Sequence, residues 1–269
     1  MPKAVGAYPL ARCKTIHLVR HGQATHNKAR LDFPNDSVYV SENYFDAPLT
    51  DLGWKQAQAV HEHIANIDSI KPQLVITSPL SRCIQTAIGI FGSGNSLRSG
   101  ESKFNALMQN NVAGRRPGIS TQGCPKFMAV EWCRECMGVH PCDRRRPISQ
   151  LQEQYPAIDF SEIVSDQDVH WKREQRETEQ EVQYRAQVFA NWLLNLTEIR
   201  IAVVAHSGFI WEFTRLFGDD LSGNVKSELQ DGYANCEMRS MVLVDKVGVG
   251  QDFGSTDFPG CSERYFPGQ

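Results

Sequence analysis

The groups in this chain with the most chemistry to offer follow short apolar runs. Arg20 and His21 come after the run at 15–19, Arg82 after 74–77, Glu135 after 127–132 and His206 after 201–205. Together these types suit reaction at a phosphomonoester. A neutral imidazole nitrogen can attack phosphorus in line, guanidiniums can hold the equatorial oxygens as charge spreads over them, and a carboxylic acid can protonate the departing alkoxide. The chain supplies one residue type for each role.

Such groups meet only if the runs that precede them lie side by side. The run at 15–19 reads as a buried strand that ends in a turn allowed by Gly22. Thr50 is a candidate N-cap for a helix over 50–66, with Leu52, Ala57, Val60 and Ile64 near helical spacing. Strands are expected at 74–77, 127–132, 201–205 and 239–245, and helices at 80–91, 148–155, 178–196 and 209–217. Strands alternating with helices predict an α/β fold in three layers, a mostly parallel sheet with helices on both faces. Open sheets of this kind bind ligands at the carboxyl ends of their strands, where the candidate groups fall. We expect one domain over 1–269, with its core at about 14–246. A Gly-, Ser- and Asn-rich lid loop is expected at 92–126, a basic insertion at 138–176 and a peripheral tail at 247–269.

Composition limits the partners. With 28 Lys and Arg against 31 Asp and Glu the net charge is −3, which gives no general field to draw nucleic acid or an anionic membrane. Any anion must be attracted by locally placed arginine. A hydrophobic content of 41% supports a real core and excludes whole-chain disorder. No apolar run approaches the ~20 residues of a membrane span, and residues 1–14 carry no signal-peptide core, so a cytoplasmic location is expected. The eight cysteines are then expected to be mostly reduced, and no modification is expected at the sequons of Asn35 and Asn195. Cys133, Cys136, His140 and Cys142 are zinc-type residues, but the second spaced pair is missing, so neither a metal nor another cofactor is expected. No cysteine is followed by five residues and an arginine, and Asp166-Gln167-Asp168 lacks the pattern of an aspartyl nucleophile. Phosphate-loop and nucleophile-elbow motifs are absent too. Arg115-Arg116 and Arg144-Arg145-Arg146 either meet a second anionic group of a substrate or form a solvated basic face.

Leu18-Val19-Arg20-His21-Gly22-Gln23 through Asn27 resembles the signature of the histidine phosphatase superfamily, the phosphoglycerate mutase-like fold. Leu49-Thr50-Asp51-Leu52-Gly53 with Gln56-Ala57 and Ser78-Pro79-Leu80-Ser81-Arg82 with Thr86 resemble its next two motifs. Cys133-Arg134-Glu135 with Gly138, and Val204-Ala205-His206-Ser207-Gly208, resemble the last two, in order over roughly 15–245. The stretch from Cys133 to Arg146, with Ala234 to Ser240, is similar to the plant and fungal phosphoglycerate mutase-like proteins. The resemblance implies that His21 is the nucleophile that becomes phosphohistidine. Arg20, Arg82 and His206 would surround the phosphate, with Asn27 as a neutral donor unless it only caps a helix near Thr25. Glu135 would be the general acid and then the base for water, with Glu131 four residues away as its rival. Ser207 stands where many members have Gly, so its hydroxyl either touches substrate or caps the following helix. Gln23, Arg144 and Arg145 are candidates for substrate specificity. The implied activity is metal-independent hydrolysis of small phosphorylated metabolites. The alternatives are a mutase that returns the phosphoryl group to an acceptor, and a weakly catalytic phosphate- or partner-binding domain.

Overall fold

The structure is a computed structural model, and it describes residues 6–97, 102–112, 114 and 116–250. The runs of β-branched and aliphatic residues form the strands, in chain order β1 (Cys13–Arg20), β2 (Leu74–Thr77), β3 (Ala106–Met108), β4 (Ile119–Ser120), β5 (Lys126–Ala129), β6 (Arg200–Ala205) and β7 (Met238–Val244). The helices are α1 (Thr25–Asp32), α2 (Asp51–Ile64), α3 (Ser81–Phe91), α4 (Ile148–Gln154), α5 (Glu179–Leu194), α6 (Ser207–Arg215) and α7 (Gly223–Gln230).

Five strands make the main sheet in the order β5-β2-β6-β1-β7, parallel except for β7, which runs antiparallel to β1. β2 is buried throughout and β6 in all but its first residue, which is why both read as continuous apolar runs rather than alternating ones. Alternation reappears in which face each residue joins. Val19, Val75, Ala202 and Val204 pack with Trp54, Ala57 and Ile84 under α2 and α3. Ile16, Leu18, Ile76 and Val203 pack with Phe189, Phe209 and Phe213 under α5 and α6. The three-layer α/β arrangement expected from the sequence is the one present.

Three departures bear on the site. The strand expected over 127–132 stops at Ala129, and Glu131–Cys133 forms a short 3-10 turn that redirects the chain before Glu135. The segment 92–126, expected as a lid, carries the β3–β4 hairpin. Its Leu107, Thr121 and Cys124 share a cavity with Leu74 and with residues 195–198, at the amino ends of β2 and β6, the edge opposite His21. The insertion instead reaches the carboxyl edge, where its Cys142 and Asp143 touch Arg82. Helices α1 and α7 bury two side chains and none respectively, so they carry no apolar period to find.

Candidate active site

His21 sits one residue beyond β1, its backbone N–H donating to the Ala205 carbonyl of β6 at 3.0 Å. Gly22 follows because the backbones here approach closely: a Cβ on Gly22 would lie 2.8 Å from the Gly53 carbonyl oxygen, and one on Gly53 would lie 2.2 Å from that of Gln23. Thr86 Oγ1 accepts the Gly22 N–H at 3.0 Å and donates to the Arg82 carbonyl at 2.7 Å, locking the β1 turn to α3. The His21 ring is thereby fixed, with Nδ1 2.7 Å from the Gly22 carbonyl oxygen. A carbonyl only accepts, so Nδ1 carries the proton and Nε2 presents a lone pair.

That lone pair faces Arg82, whose Nε donates to it at 3.3 Å. Arg82 reaches the site from the first turn of α3, and Asp46 holds that turn by accepting the Ser81 N–H at 2.8 Å and the Ser81 hydroxyl at 2.5 Å. Its Nη2 donates to His206 Nδ1 at 3.0 Å and to Asp143 Oδ1 at 2.8 Å, and Nη1 donates to the Cys142 carbonyl at 2.5 Å. An arginine cannot accept, so His206 Nδ1 is bare and Nε2–H donates to Ser78 Oγ at 2.8 Å. Both imidazoles are buried. Burial first, and the Arg82 charge second, hold each well below the ordinary histidine range, so both are neutral. Burial would raise the Asp143 carboxyl, but His140, Arg82 and Arg176 reverse this and keep it ionised. The His140 ring stands 3.7 Å from Asp143 Oδ2, and the short contact is Arg82 at 2.8 Å.

Glu135 completes the group. Its Oε1 accepts the Cys136 N–H at 3.0 Å and its Oε2 accepts the Gly208 N–H at 3.2 Å, at the amino end of α6. A Cβ on Gly208 would fall 2.3 Å from Oε1, so glycine there makes room for the carboxylate. The rival Glu131 is spent elsewhere, bridging Arg134 Nη1 at 2.9 Å and Arg145 Nε at 2.6 Å. Arg185 of α5 pins the loop that carries Glu135, donating to the carbonyls of Trp132 and Arg134 at 2.8 Å each and of Glu135 at 3.2 Å.

These residues lie on a chain with clear relatives. The sequence model of the histidine phosphatase superfamily (branch 1) matches residues 16–98. A phosphoglycerate mutase-like protein of Arabidopsis thaliana is 45% identical over 96% of this chain and 95% of its own length. The chain belongs to the histidine phosphatase superfamily. A second Arabidopsis thaliana relative, phosphoglycerate mutase-like protein 1, is 44% identical over 95% of this chain and 90% of its own length. Among solved structures, an ecdysone phosphate phosphatase from Bombix mori, in complex with tungstate, is 17% identical over 85% of this chain and 88% of its own, with a TM-score of 0.48. Membership of this superfamily supports phosphoryl transfer through a histidine.

The remaining residues expected at a histidine phosphatase site are dispersed. Arg20 donates through Nη1 to the Tyr233 carbonyl at 2.7 Å and lines a cleft of about 390 Å³ with Ser207, Gly208, Trp211 and Asp231. Asn27, expected as a phosphate donor, makes its hydrogen bonds within α1. Its Oδ1 accepts the Ala24 N–H at 3.0 Å as the helix cap, and Nδ2 meets His26 Nε2 at 3.0 Å. Gln23 accepts from Thr50 Oγ1 at 2.8 Å, supporting the start of α2. Arg145 cannot meet substrate: its fully buried guanidinium is consumed by Glu131 and the carbonyls of Ser165, Asp166, Gln167 and Arg146. Arg144 pairs with Glu42 at 2.7 Å and lies over the Phe45 and Trp171 rings. Arg146 donates to Asp46 and Arg116 to Asp51, while Arg115 and Cys261 lie outside the described residues. Cys133 and Cys142 are buried thiols, and no group of three or more metal-ligating side chains occurs among the described residues. Sequence reading missed His26, Asp143 and Arg185. Only Arg185 had a signal, as a charge on the same helical face as Val182, Ala186 and Phe189.

Proposed function

We propose that this chain is a metal-independent phosphomonoesterase acting on small phosphorylated metabolites through phosphohistidine. The observation that carries the proposal is the His21 ring, its Nδ1–H fixed on the Gly22 carbonyl and its Nε2 lone pair directed at the guanidinium that would hold a phosphate. In the first step the Nε2 lone pair forms an N–P bond as the ester P–O bond breaks. The Gly22 carbonyl takes the positive character that develops on the ring, and the carboxyl of Glu135 gives its proton to the leaving oxygen. Glu135, now a carboxylate, then takes a proton from water as that oxygen attacks phosphorus. The N–P bond breaks, the electron pair returns to Nε2, and inorganic phosphate leaves.

Arg82 supplies charge to the phosphoryl oxygens, and a substrate dianion competes with Asp143 for it. His206 has no proton on the nitrogen facing Arg82. An arriving dianion offsets the Arg82 charge and favours protonation there, which turns His206 into a donor. Arg20 and Ser207 line the cleft beside Glu135 and would contact the substrate on its leaving-group side, and Arg144 of the insertion is a candidate specificity residue. Small phosphorylated compounds are the expected partners, and a cytoplasmic location agrees with seven free thiols among the described residues. No helix among those residues is long and apolar enough to cross a membrane.

The names of the Arabidopsis relatives keep a mutase in view as the second reading. A phosphorus NMR time course decides between them, using the purified chain with 3-phosphoglycerate, a bisphosphoglycerate primer and a panel of sugar and nucleotide monophosphates, in the presence of a chelator. Growth of inorganic phosphate that is lost in His21→Ala supports the hydrolase. Interconversion of monophosphoglycerates with little free phosphate identifies the mutase. Phosphate binding without turnover across the panel identifies a binding domain.

A further inference from the structure

His26, the second residue of α1, has no part in the chemistry above, yet it lies inside the same crevice. Only 5% of it is exposed. Its ring centroid is 6.2 Å from that of His21 and 6.3 Å from that of Tyr39, which in turn stacks on His140 at 5.2 Å. Burial first, and then the positive charges of Arg82 and Arg20, bring its pKa down to about 3 against the opposing pull of the Asp143 carboxylate. Arg82, which donates to His21, and Asp143, which pairs with Arg82, thus act on the ring as well, so it stands beside the groups that would hold a phosphate and is neutral.

The location of its single proton follows from its neighbour. Asn27 Oδ1 accepts the Ala24 N–H, which fixes the amide orientation and leaves Nδ2 as the atom 3.0 Å from His26 Nε2. Nδ2 only donates, so His26 Nε2 accepts and the proton resides on Nδ1. That Nδ1–H is a buried donor with no acceptor among the described residues. A buried donor left unpaired is costly, and such groups in folded proteins are few and call for an explanation.

We propose that His26 is a third imidazole of the phosphate site, its Nδ1–H reserved for an oxygen of the bound phosphoryl group. The inference rests on the phosphomonoesterase reading and extends it. A phosphoryl dianion offers acceptors only, and a neutral donor adds a hydrogen bond to it without further like charge beside Arg82. Asn27 is then a positioning residue that selects the His26 tautomer, and the neutral donor to phosphate that the family resemblance led us to expect at Asn27 is supplied one residue earlier.

The test is calorimetric binding of inorganic phosphate and of orthovanadate to the whole chain, with kcat/KM measured alongside, for wild type, His26→Phe and His26→Asn. Phe keeps the ring and removes the donor, while the Asn amide places an N–H near the former Nδ1. We expect His26→Phe to weaken both anions by roughly 10- to 100-fold, the range for a hydrogen bond to a charged group. We also expect its neutral-pH melting temperature not to fall, and His26→Asn to recover most of the loss. Anion affinities in His26→Phe within about twofold of wild type would overturn the proposal. So would a loss accompanied by lower melting and no recovery in His26→Asn, which would mark packing alone. A wild type that binds the anions but releases no phosphate refutes the hydrolase reading only, and the variants still decide on His26. A wild type that binds neither anion ends both.

Discussion

Acid should loosen this protein before its carboxylates titrate, and His26 allows the size of the effect to be worked out. An unfolded histidine titrates near 6.5, whereas His26 in the fold is brought down to about 3. Its folded-state value is the depressed one, so between those values the unfolded chain binds the extra proton. The stability it contributes is complete above 6.5 and is lost as pH falls. From pH 7.5 to 5.0 the change is RT ln of the ratio of unfolded to folded proton binding, about 2 kcal/mol for this one ring. His21, His206 and His17 are shifted in the same direction, burial being the first cause in each, and add to the loss. Asp143 and Asp168 are held below their ordinary value of 3.8, so their contribution is lost only in more acid solution, while burial raises the Asp46 carboxyl and opposes the trend, so the comparison with a His26 variant is what isolates this ring. Urea denaturation followed by tryptophan fluorescence across that window measures the slope. Replacing His26 by Phe should leave a wild-type-like slope reduced by about 2 kcal/mol over the interval. Equal losses in the two proteins, within about 0.5 kcal/mol, would mean that His26 protonates normally in the fold and would refute the buried neutral ring.

Three further substitutions test other parts of the account. Gly208→Ala places a methyl 2.3 Å from Glu135 Oε1 and must displace the carboxylate, so phosphate release should fall at least ~10-fold while the melting temperature stays near wild type. Glu135→Gln should slow hydrolysis of an alkyl monoester by roughly 10²–10⁴-fold in steady-state assays, yet spare the first step with p-nitrophenyl phosphate, whose leaving group needs no proton. A first step with p-nitrophenyl phosphate slowed as much as that with the alkyl ester would remove the general-acid role. Arg145→Met leaves four interior carbonyls and Oε1 of Glu131 without their donor, Arg134 still holding Oε2, and equilibrium denaturation should show a cost of about 3–5 kcal/mol. A change below about 1 kcal/mol would place that arginine back among exposed groups.

Much of the frame was legible in the residues. Near-continuous apolar runs at β2 and β6 predicted strands buried on both faces, because a parallel sheet covered by helices leaves little room for polar residues. The motif glycines and Thr86 were equally informative, since backbones that approach within a Cβ radius admit only glycine and a turn N–H needs an acceptor. Sequence order alone therefore determined the fold class and brought His21, Arg82, Glu135 and His206 to one edge. Tertiary structure decided which charges meet. Arg145 and Arg144 are adjacent in the chain, yet one is consumed by carbonyls and the other lies over aromatic rings at the rim. Asp143 and Arg185 carry charge like any surface residue until folding brings them to Arg82 and to the Glu135 loop. His26 became visible as a donor only when its neighbour's amide fixed the proton. Hydrophobic periodicity records how much of each element is buried, whereas the partner of a buried polar atom depends on contacts far apart in sequence, which no local spacing encodes.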